Sequence, residues 1–179
     1  MSNVFVAALE QTLIKEGRLS NHKQDRGGIT DYGISLRFLK GLPDLDGDLN
    51  GDGHVTEDDI TALTPSDVAL LYKKYFWDWY QLGRITHARI AIKAFDLLVN
   101  MRSKPAVRIL QRGLRACNSP VTEDGLLGPE TFGAINNILD QRNLLAAMRS
   151  EAYGHYRLII AADPTQAKFH DGWKNRAYS

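Results

Sequence analysis

The sequence predicts a mainly α-helical fold, with β-structure confined to a small region near residues 17–35. Phe5, Leu9 and Leu13 recur at every fourth position, which marks one face of an amphipathic helix. The second half of the chain carries several helix start signals and no run of alternating apolar and polar residues typical of strands. We therefore expect a helical protein with one small sheet near its N-terminus.

The elements of the first half follow from local signals. Glu16 continues the apolar face of the first helix, and Gly17 is a natural helix stop. Ser35 is expected to cap a short helix over the segment SLRFLKG. Thr64 and Pro65 supply an N-cap and a first helical residue for the helix that continues into ALLYKKYFWDWY.

The second half predicts a series of helices. Thr86 is expected to open the helix over THARIAIKAFDLLVN, and Gly128–Pro129 to start the helix over PETFGAIN. Asp163–Pro164 is expected to separate the last two helices. We predict two parts, residues 1–95 with an inserted loop at 46–59, and residues 96–179 packed against the first part.

Composition and charge exclude several function classes. A formal net charge of +1 and the lack of a basic run give no attraction to nucleic acid. Cys117 is the only cysteine, so no intramolecular disulfide can form, and no HExxH motif indicates a zinc hydrolase. The sequence shows neither a signal peptide nor a membrane-spanning segment. We expect a monomer made in the cytoplasm that does not insert into membranes.

Residues 13–34, LIKEGRLSNHKQDRGGITDYGI, contain a candidate acid–base pair. At the end of an apolar helical face, partial burial and the negative helix end both favour a protonated Glu16 carboxyl, which a general acid needs. Asp25 falls in an expected loop, where it would be ionised, and the Thr30 hydroxyl could position a water. Two carboxyl groups with different protonation states are the pair that cleaves glycosidic bonds. The alternative is a solvated Glu16 at a frayed helix end and Asp25 in a turn.

The same region resembles a known enzyme family. The N-terminal motif of glycoside hydrolase family 108 is similar in order and spacing to a set of residues in this region: Glu16-Gly17, Asp25, Gly27-Gly28, Thr30 and Tyr32-Gly33-Ile34. These are N-acetylmuramidases with a lysozyme-like arrangement, found as phage endolysins and as bacterial enzymes that assist secretion. The resemblance implies that Glu16 is the catalytic acid and that Asp25 and Thr30 complete the catalytic group. Within this motif we assign substrate binding to Tyr32 and Gly28.

The resemblance extends into the second half of the chain. The segments AVRILQRGLRA, DGLLGPETFGAIN and PTQAKFHDGWKNR are similar to the helical peptidoglycan-binding region usually joined to this catalytic part. Residues 1–95 would then be a lysozyme-like catalytic lobe, and residues 96–179 a peptidoglycan-binding region. The implied activity is hydrolysis of the β-1,4 bond between N-acetylmuramic acid and N-acetylglucosamine, for host lysis or for passage of a secreted protein through the wall.

Residues 48–59, DLNGDGHVTEDD, have the spacing of an EF-hand calcium loop. Asp48, Asn50 and Asp52 occupy positions one, three and five, His54 would contribute its backbone carbonyl, and Asp59 would close the site. Position twelve is Asp instead of the longer Glu, and little helix is expected before the loop. The spacing therefore predicts a structural calcium site and not a sensor. The alternative is a surface turn rich in Asp, Asn and Gly.

Two other function classes remain open from the residues alone. A non-catalytic peptidoglycan-binding module would use the same groove without cleaving the glycan, although retention of Glu16 argues against it. A calcium-dependent adhesion or scaffold module would rest only on the acidic loop. Release of new reducing ends from purified cell wall separates the enzyme from both.

Overall fold

The computed structural model describes residues 2–16 and 29–179 and is mainly α-helical, which confirms the predicted fold class. Its described residues form two compact units, Leu9–Tyr75 and Met1–Ala8 with Phe76–Ser179. The α-helices are α1 (Asn3–Glu16), α2 (Leu36–Lys40), α3 (Glu57–Ala62), α4 (Pro65–Tyr72), α5 (Ala88–Asn100), α6 (Ser103–Ala116), α7 (Pro129–Asn136), α8 (Gln141–Ala162) and α9 (His170–Tyr178). A π-helical turn spans Lys73–Asp78, and 3-10 turns span Leu82–Arg84 and Pro164–Phe169.

The unit Leu9–Tyr75 contains the sheet that the sequence predicts. Strands β1 (Thr30–Asp31) and β2 (Ile34–Ser35) pair antiparallel, with Thr30 opposite Ser35. Ser35 then caps α2, because its hydroxyl accepts a hydrogen bond from the Phe38 amide at 3.2 Å. The hairpin therefore passes directly into α2.

Helix α4 begins where Thr64 and Pro65 predict it. The Thr64 hydroxyl accepts from the Asp67 amide, and the Asp67 carboxylate accepts from the Thr64 amide at 3.0 Å. This reciprocal capping box satisfies amide groups that would otherwise lack partners at the helix start. Val68, Leu71 and Tyr72 are buried, so the other end of α4 is fixed by packing.

The larger unit is built from α5 to α9. Phe5, Trp77 and Phe95 form an aromatic cluster within it, with ring centroids 5.5 to 6.1 Å apart. A Cβ added at Gly113 of α6 would lie 3.1 Å from Met148 of α8, so the glycine permits close packing of these two helices. None of the described helices is long and apolar enough to cross a bilayer.

Helix α5 begins at Ala88, two residues later than Thr86 predicts. The Thr86 amide and hydroxyl both donate to the Asn136 carboxamide oxygen, at 3.0 and 3.1 Å. Thr86 is therefore bonded to α7 and does not cap α5. By contrast, α7 starts at Gly128–Pro129 and the break after α8 falls at Asp163–Pro164, as predicted.

A buried ion network joins α5 to α9. The side chains of Lys93 and Asp96 are each 3% exposed, and that of Arg176 is 9% exposed. Arg176 donates to the Asp96 carboxylate at 3.1 Å, and the Lys93 ammonium donates to the Arg176 carbonyl at 2.7 Å. One carboxylate therefore lies between two buried cations and ties the last helix to the core.

Candidate active site

Glu16, the candidate acid, is the last residue of α1 and is partly buried against the hairpin turn. A Cβ added to Gly33 would lie 2.7 Å from Glu16 Cγ and 2.9 Å from Glu16 Oε2. These distances are too short for real carbon contacts, so the Glu16 carboxyl lies directly against the main chain of Gly33. Only glycine allows this approach without movement of the acid.

The turn beside Glu16 has a strained backbone. Tyr32 and Gly33 form the two-residue connection between β1 and β2, and both have positive φ angles, 51° and 77°. Two positive φ angles are the mark of a type I′ hairpin turn, which usually contains Asn-Gly. Tyrosine in this conformation costs about 1 kcal/mol or more. Strain of this kind persists where the surrounding structure holds it in place.

The peptide groups of Tyr32 are held from both sides. The Asp31 carboxylate accepts from the Tyr32 amide at 3.0 Å, and Asp31 itself is buried. The Tyr72 hydroxyl donates to the Tyr32 carbonyl at 2.9 Å. These two bonds oppose the strain and fix the turn in contact with Glu16.

Tyr72, the last residue of α4, also lies beside Gly33 and is 2% exposed. Its hydroxyl oxygen would be 2.7 Å from a Cβ on Gly33. Glu16 and Tyr72 are thus both within 3 Å of the same position above the Gly33 main chain. No sequence signal marks Tyr72 as part of this site, because it lies 40 positions from Tyr32 along the chain.

Three of the five residues assigned to catalysis and substrate binding, Glu16, Thr30 and Tyr32, lie among the described residues. Thr30 lies in β1, two residues before the turn, and Tyr32 lies in the turn itself. Asp25 and Gly28 fall outside the described residues. The roles of all five stay predictions.

The predicted calcium loop is closed by hydrogen bonds from its own backbone. The Asp48 carboxylate accepts from the amides of Gly51 and Gly53, each at 2.8 Å. The Asp52 carboxylate accepts from the amide of His54 at 2.8 Å, and the Asn50 carboxamide oxygen accepts from the Asp52 amide at 2.9 Å. All the candidate side-chain ligands therefore already accept backbone N–H groups.

Asp59 ties the end of this loop back to its start. Fully buried, its carboxylate accepts from the amides of Leu49 at 2.7 Å, Asn50 at 3.2 Å and Thr56 at 2.7 Å. Burial acts to raise the pKa of Asp59, but the hydrogen bonds from Thr56, Leu49 and Asn50 outweigh it and hold the pKa below its usual value. Across residues 2–16 and 29–179, no group of three or more His, Cys, Asp or Glu side chains is arranged to hold a metal.

A second anchored segment lies before the loop. Lys74 and Tyr75 both donate to the Asp46 carboxylate, and the Tyr75 ring packs edge-on against Phe38 at 6.0 Å. The hydrogen bond from Lys74 and, to a smaller extent, the hydrogen bond from Tyr75 hold the pKa of Asp46 below its usual value. These contacts fix the segment between α2 and the loop and do not involve the Tyr32–Gly33 turn.

Comparison with known proteins gives two family matches and similarity to solved structures. A family model described as Glycosyl hydrolase 108 matches residues 9–101, and a model described as Predicted Peptidoglycan domain matches residues 105–178. No relative with a curated function matches the chain. Among solved structures, Brucella abortus SagA is similar, with a TM-score of 0.71 and 20% identity over 97% of this chain and 88% of that chain. The predicted division into residues 1–95 and 96–179 stays a prediction.

Proposed function

Because the chain belongs to glycosyl hydrolase family 108 and is a peptidoglycan hydrolase, we propose that it is an N-acetylmuramidase whose catalytic acid is Glu16. The bond cleaved would be the β-1,4 linkage between N-acetylmuramic acid and N-acetylglucosamine. The observation that carries this proposal is the placement of Glu16 at the end of α1 against the constrained Gly33 turn. A carboxyl that is partly buried and held in one place suits proton donation to a glycosidic oxygen.

The proposed reaction assigns one proton transfer to each carboxyl group. Glu16 gives its proton to the glycosidic oxygen as the bond from that oxygen to C1 of the N-acetylmuramic acid breaks. A water oxygen bonds to C1, and Asp25 accepts the proton that this water loses, with Thr30 positioning the water. The products are a new reducing end and a free 4-hydroxyl group, and later proton exchange with solvent restores both carboxyl groups.

Glu16→Gln tests the proposed acid. The amide keeps the shape of the side chain and cannot donate the proton, so release of reducing ends from purified cell wall should fall about 1000-fold. Glu10→Gln is the matched control, because Glu10 is an exposed residue of the same helix. Activity of Glu16→Gln within tenfold of Glu10→Gln would contradict the assignment. Wall binding without any release of reducing ends by the wild type would favour a non-catalytic binding module.

We also propose that residues 48–59 bind calcium as a structural ion. The support is the spacing of Asp48, Asn50 and Asp52 and a donor set made only of oxygen, with the His54 carbonyl and Asp59 completing it. An ionised carboxylate has about four lone-pair positions, so one that accepts an N–H group can also bind an ion. Removal of calcium with a chelator should lower the melting temperature, calcium should restore it, and Asp52→Asn should abolish the response. An unchanged melting curve at millimolar calcium would reject the site.

The proposed site of action is wall peptidoglycan, reached through a holin or a dedicated secretion route. Peptidoglycan lies outside the cytoplasmic membrane, so expression in the cytoplasm should be harmless. The same chain fused to a secretion signal should lyse the cell, and the Glu16→Gln fusion should not. Equal toxicity of the two fusions would contradict an enzymatic cause. We propose that the enzyme acts as a monomer, which light scattering on purified protein would test.

A further inference from the structure

We propose that the Tyr72 hydroxyl is a positioning group for the catalytic acid, acting through the Tyr32–Gly33 turn. This inference rests on the proposed function of Glu16 and adds to it a residue that acts on the acid through the main chain of the turn. Its geometric basis is that Tyr72 donates to the Tyr32 carbonyl while the adjacent Gly33 main chain contacts the Glu16 side chain.

The hydroxyl is the part of Tyr72 that reaches the turn. At 2.9 Å from the Tyr32 carbonyl oxygen, it makes a hydrogen bond of normal length with a residue whose φ of 51° is unfavourable for tyrosine. Without this bond, the Tyr32–Gly33 peptide can rotate toward a less strained conformation. Rotation of that peptide moves Gly33, and Glu16 then loses the surface that fixes its carboxyl.

The anchor itself is rigid. Tyr72 is the last residue of α4 and is 2% exposed. The start of this helix is fixed by the Thr64 capping box. A buried aromatic ring has little rotational freedom, so its hydroxyl defines a fixed point in the unit Leu9–Tyr75. The position of the turn is therefore fixed by the core of this unit as well as by the short hairpin itself.

Tyr72→Phe removes the hydroxyl and keeps the ring. We expect kcat for reducing-end release to fall about tenfold or more, because loss of one positioning hydrogen bond loosens the acid, while KM for cell-wall fragments changes less than about threefold. Tyr75→Phe is the matched control, since it removes a hydroxyl three positions later that donates to Asp46 and not to the hairpin. The control should keep kcat within about twofold of wild type.

A double-mutant comparison separates positioning from general loss of stability. If Tyr72 acts through Glu16, Tyr72→Phe should reduce kcat in the wild type and have no further effect in the Glu16→Gln variant. The residual activity of Glu16→Gln is measured at high enzyme concentration, and circular dichroism with thermal melting monitors the fold. If Tyr72→Phe fails to fold, 4-fluorophenylalanine at position 72 replaces it, because the fluorine fills the space of the hydroxyl and cannot donate a hydrogen bond. A kcat equal to that of wild type would then overturn the proposal.

The outcomes distinguish this inference from the proposed function. Near-normal activity of Glu16→Gln would show that Glu16 is not the catalytic acid and would overturn both proposals. An inactive Glu16→Gln with a Tyr72→Phe kcat equal to that of Tyr75→Phe would overturn only the role of Tyr72. A fall in kcat that adds fully to the Glu16→Gln effect would also overturn it, because it would show that Tyr72 does not act through the acid.

Discussion

Gly33→Ala should separate the acid from the turn that holds it. The added methyl group would lie 2.7 Å from Glu16 Cγ and 2.7 Å from the Tyr72 hydroxyl oxygen, whereas ordinary contacts begin at 3.4 Å. Glu16, Tyr72 or the turn must therefore move by several tenths of an ångström. Because misplacement by about 1 Å can cost about 100-fold in rate, we expect kcat/KM to fall by up to about 100-fold.

The same substitution should also lower the free energy of unfolding. Alanine at a φ of +77° costs about 1–2 kcal/mol, and the steric overlap adds about 1–3 kcal/mol. Gly51→Ala is the control for the backbone cost alone, since Gly51 has a φ of +78° and nothing within 4 Å of its Cβ position. We expect the control to lose only about 1–2 kcal/mol and to keep its activity.

Two measurements on each variant decide the outcome. Urea unfolding gives the free energy, and initial rates of reducing-end release from purified cell wall give kcat/KM at a temperature where both variants are folded. The reasoning is refuted if folded Gly33→Ala keeps kcat/KM within threefold of Gly51→Ala. That result would mean that the acid does not depend on contact with this turn.

Three further predictions concern stability and the second part of the catalytic group. Asp96→Asn should lower the free energy of unfolding by about 3–5 kcal/mol in urea, because it removes the negative charge from a buried ion network that contains Lys93 and Arg176. The exposed Asp171→Asn should lose under about 0.5 kcal/mol. The hydrogen bonds that lower the pKa of Asp59 stabilise the fold when the pH is above the unfolded-state pKa of about 3.9. This contribution is lost as the pH falls through the lower pKa of the folded state. The gap in melting temperature between wild type and Asp59→Asn should therefore be widest above about pH 5 and close toward about pH 2. Thr30→Ala should reduce reducing-end release by less than Glu16→Gln does, if it only positions water; equal losses would contradict that role.

Features fixed by local chemistry were predictable from the sequence. The α4 start at Thr64–Pro65 depends on a cap, a fixed φ and an acidic residue within four positions, so the sequence carries all of it. The helix over Asn3–Glu16 follows from the spacing of the apolar residues Phe5, Leu9 and Leu13, while the predicted stop at Gly17 lies outside the described residues. Thr86 shows the limit of this reasoning, because a hydroxyl suited to capping was bonded instead by Asn136, 50 positions away.

The contacts that shape the candidate site could not be predicted in this way. Gly33 meets Glu16 and Tyr72 only because the hairpin, α1 and α4 pack together, and no local pattern encodes their distances. The type of the turn could not be predicted either, because Tyr-Gly is an unusual sequence for a type I′ connection. In the acidic loop, the spacing could not show that Asp59 would accept three backbone amides, because metal ligands and backbone acceptors use the same oxygen atoms.

At the strained Tyr32 of the hairpin, thermal stability and catalytic activity favour different residues. Asparagine is the residue best suited to the first central position of a type I′ turn, so Tyr32→Asn is the obvious stabilising change. It would relieve the backbone while removing a ring from the edge of the candidate site, in a turn that the Tyr72 hydroxyl now restrains. Selection for thermal stability alone would thus favour a substitution that selection for wall cleavage opposes, and heat-resistant variants should be sought outside this turn.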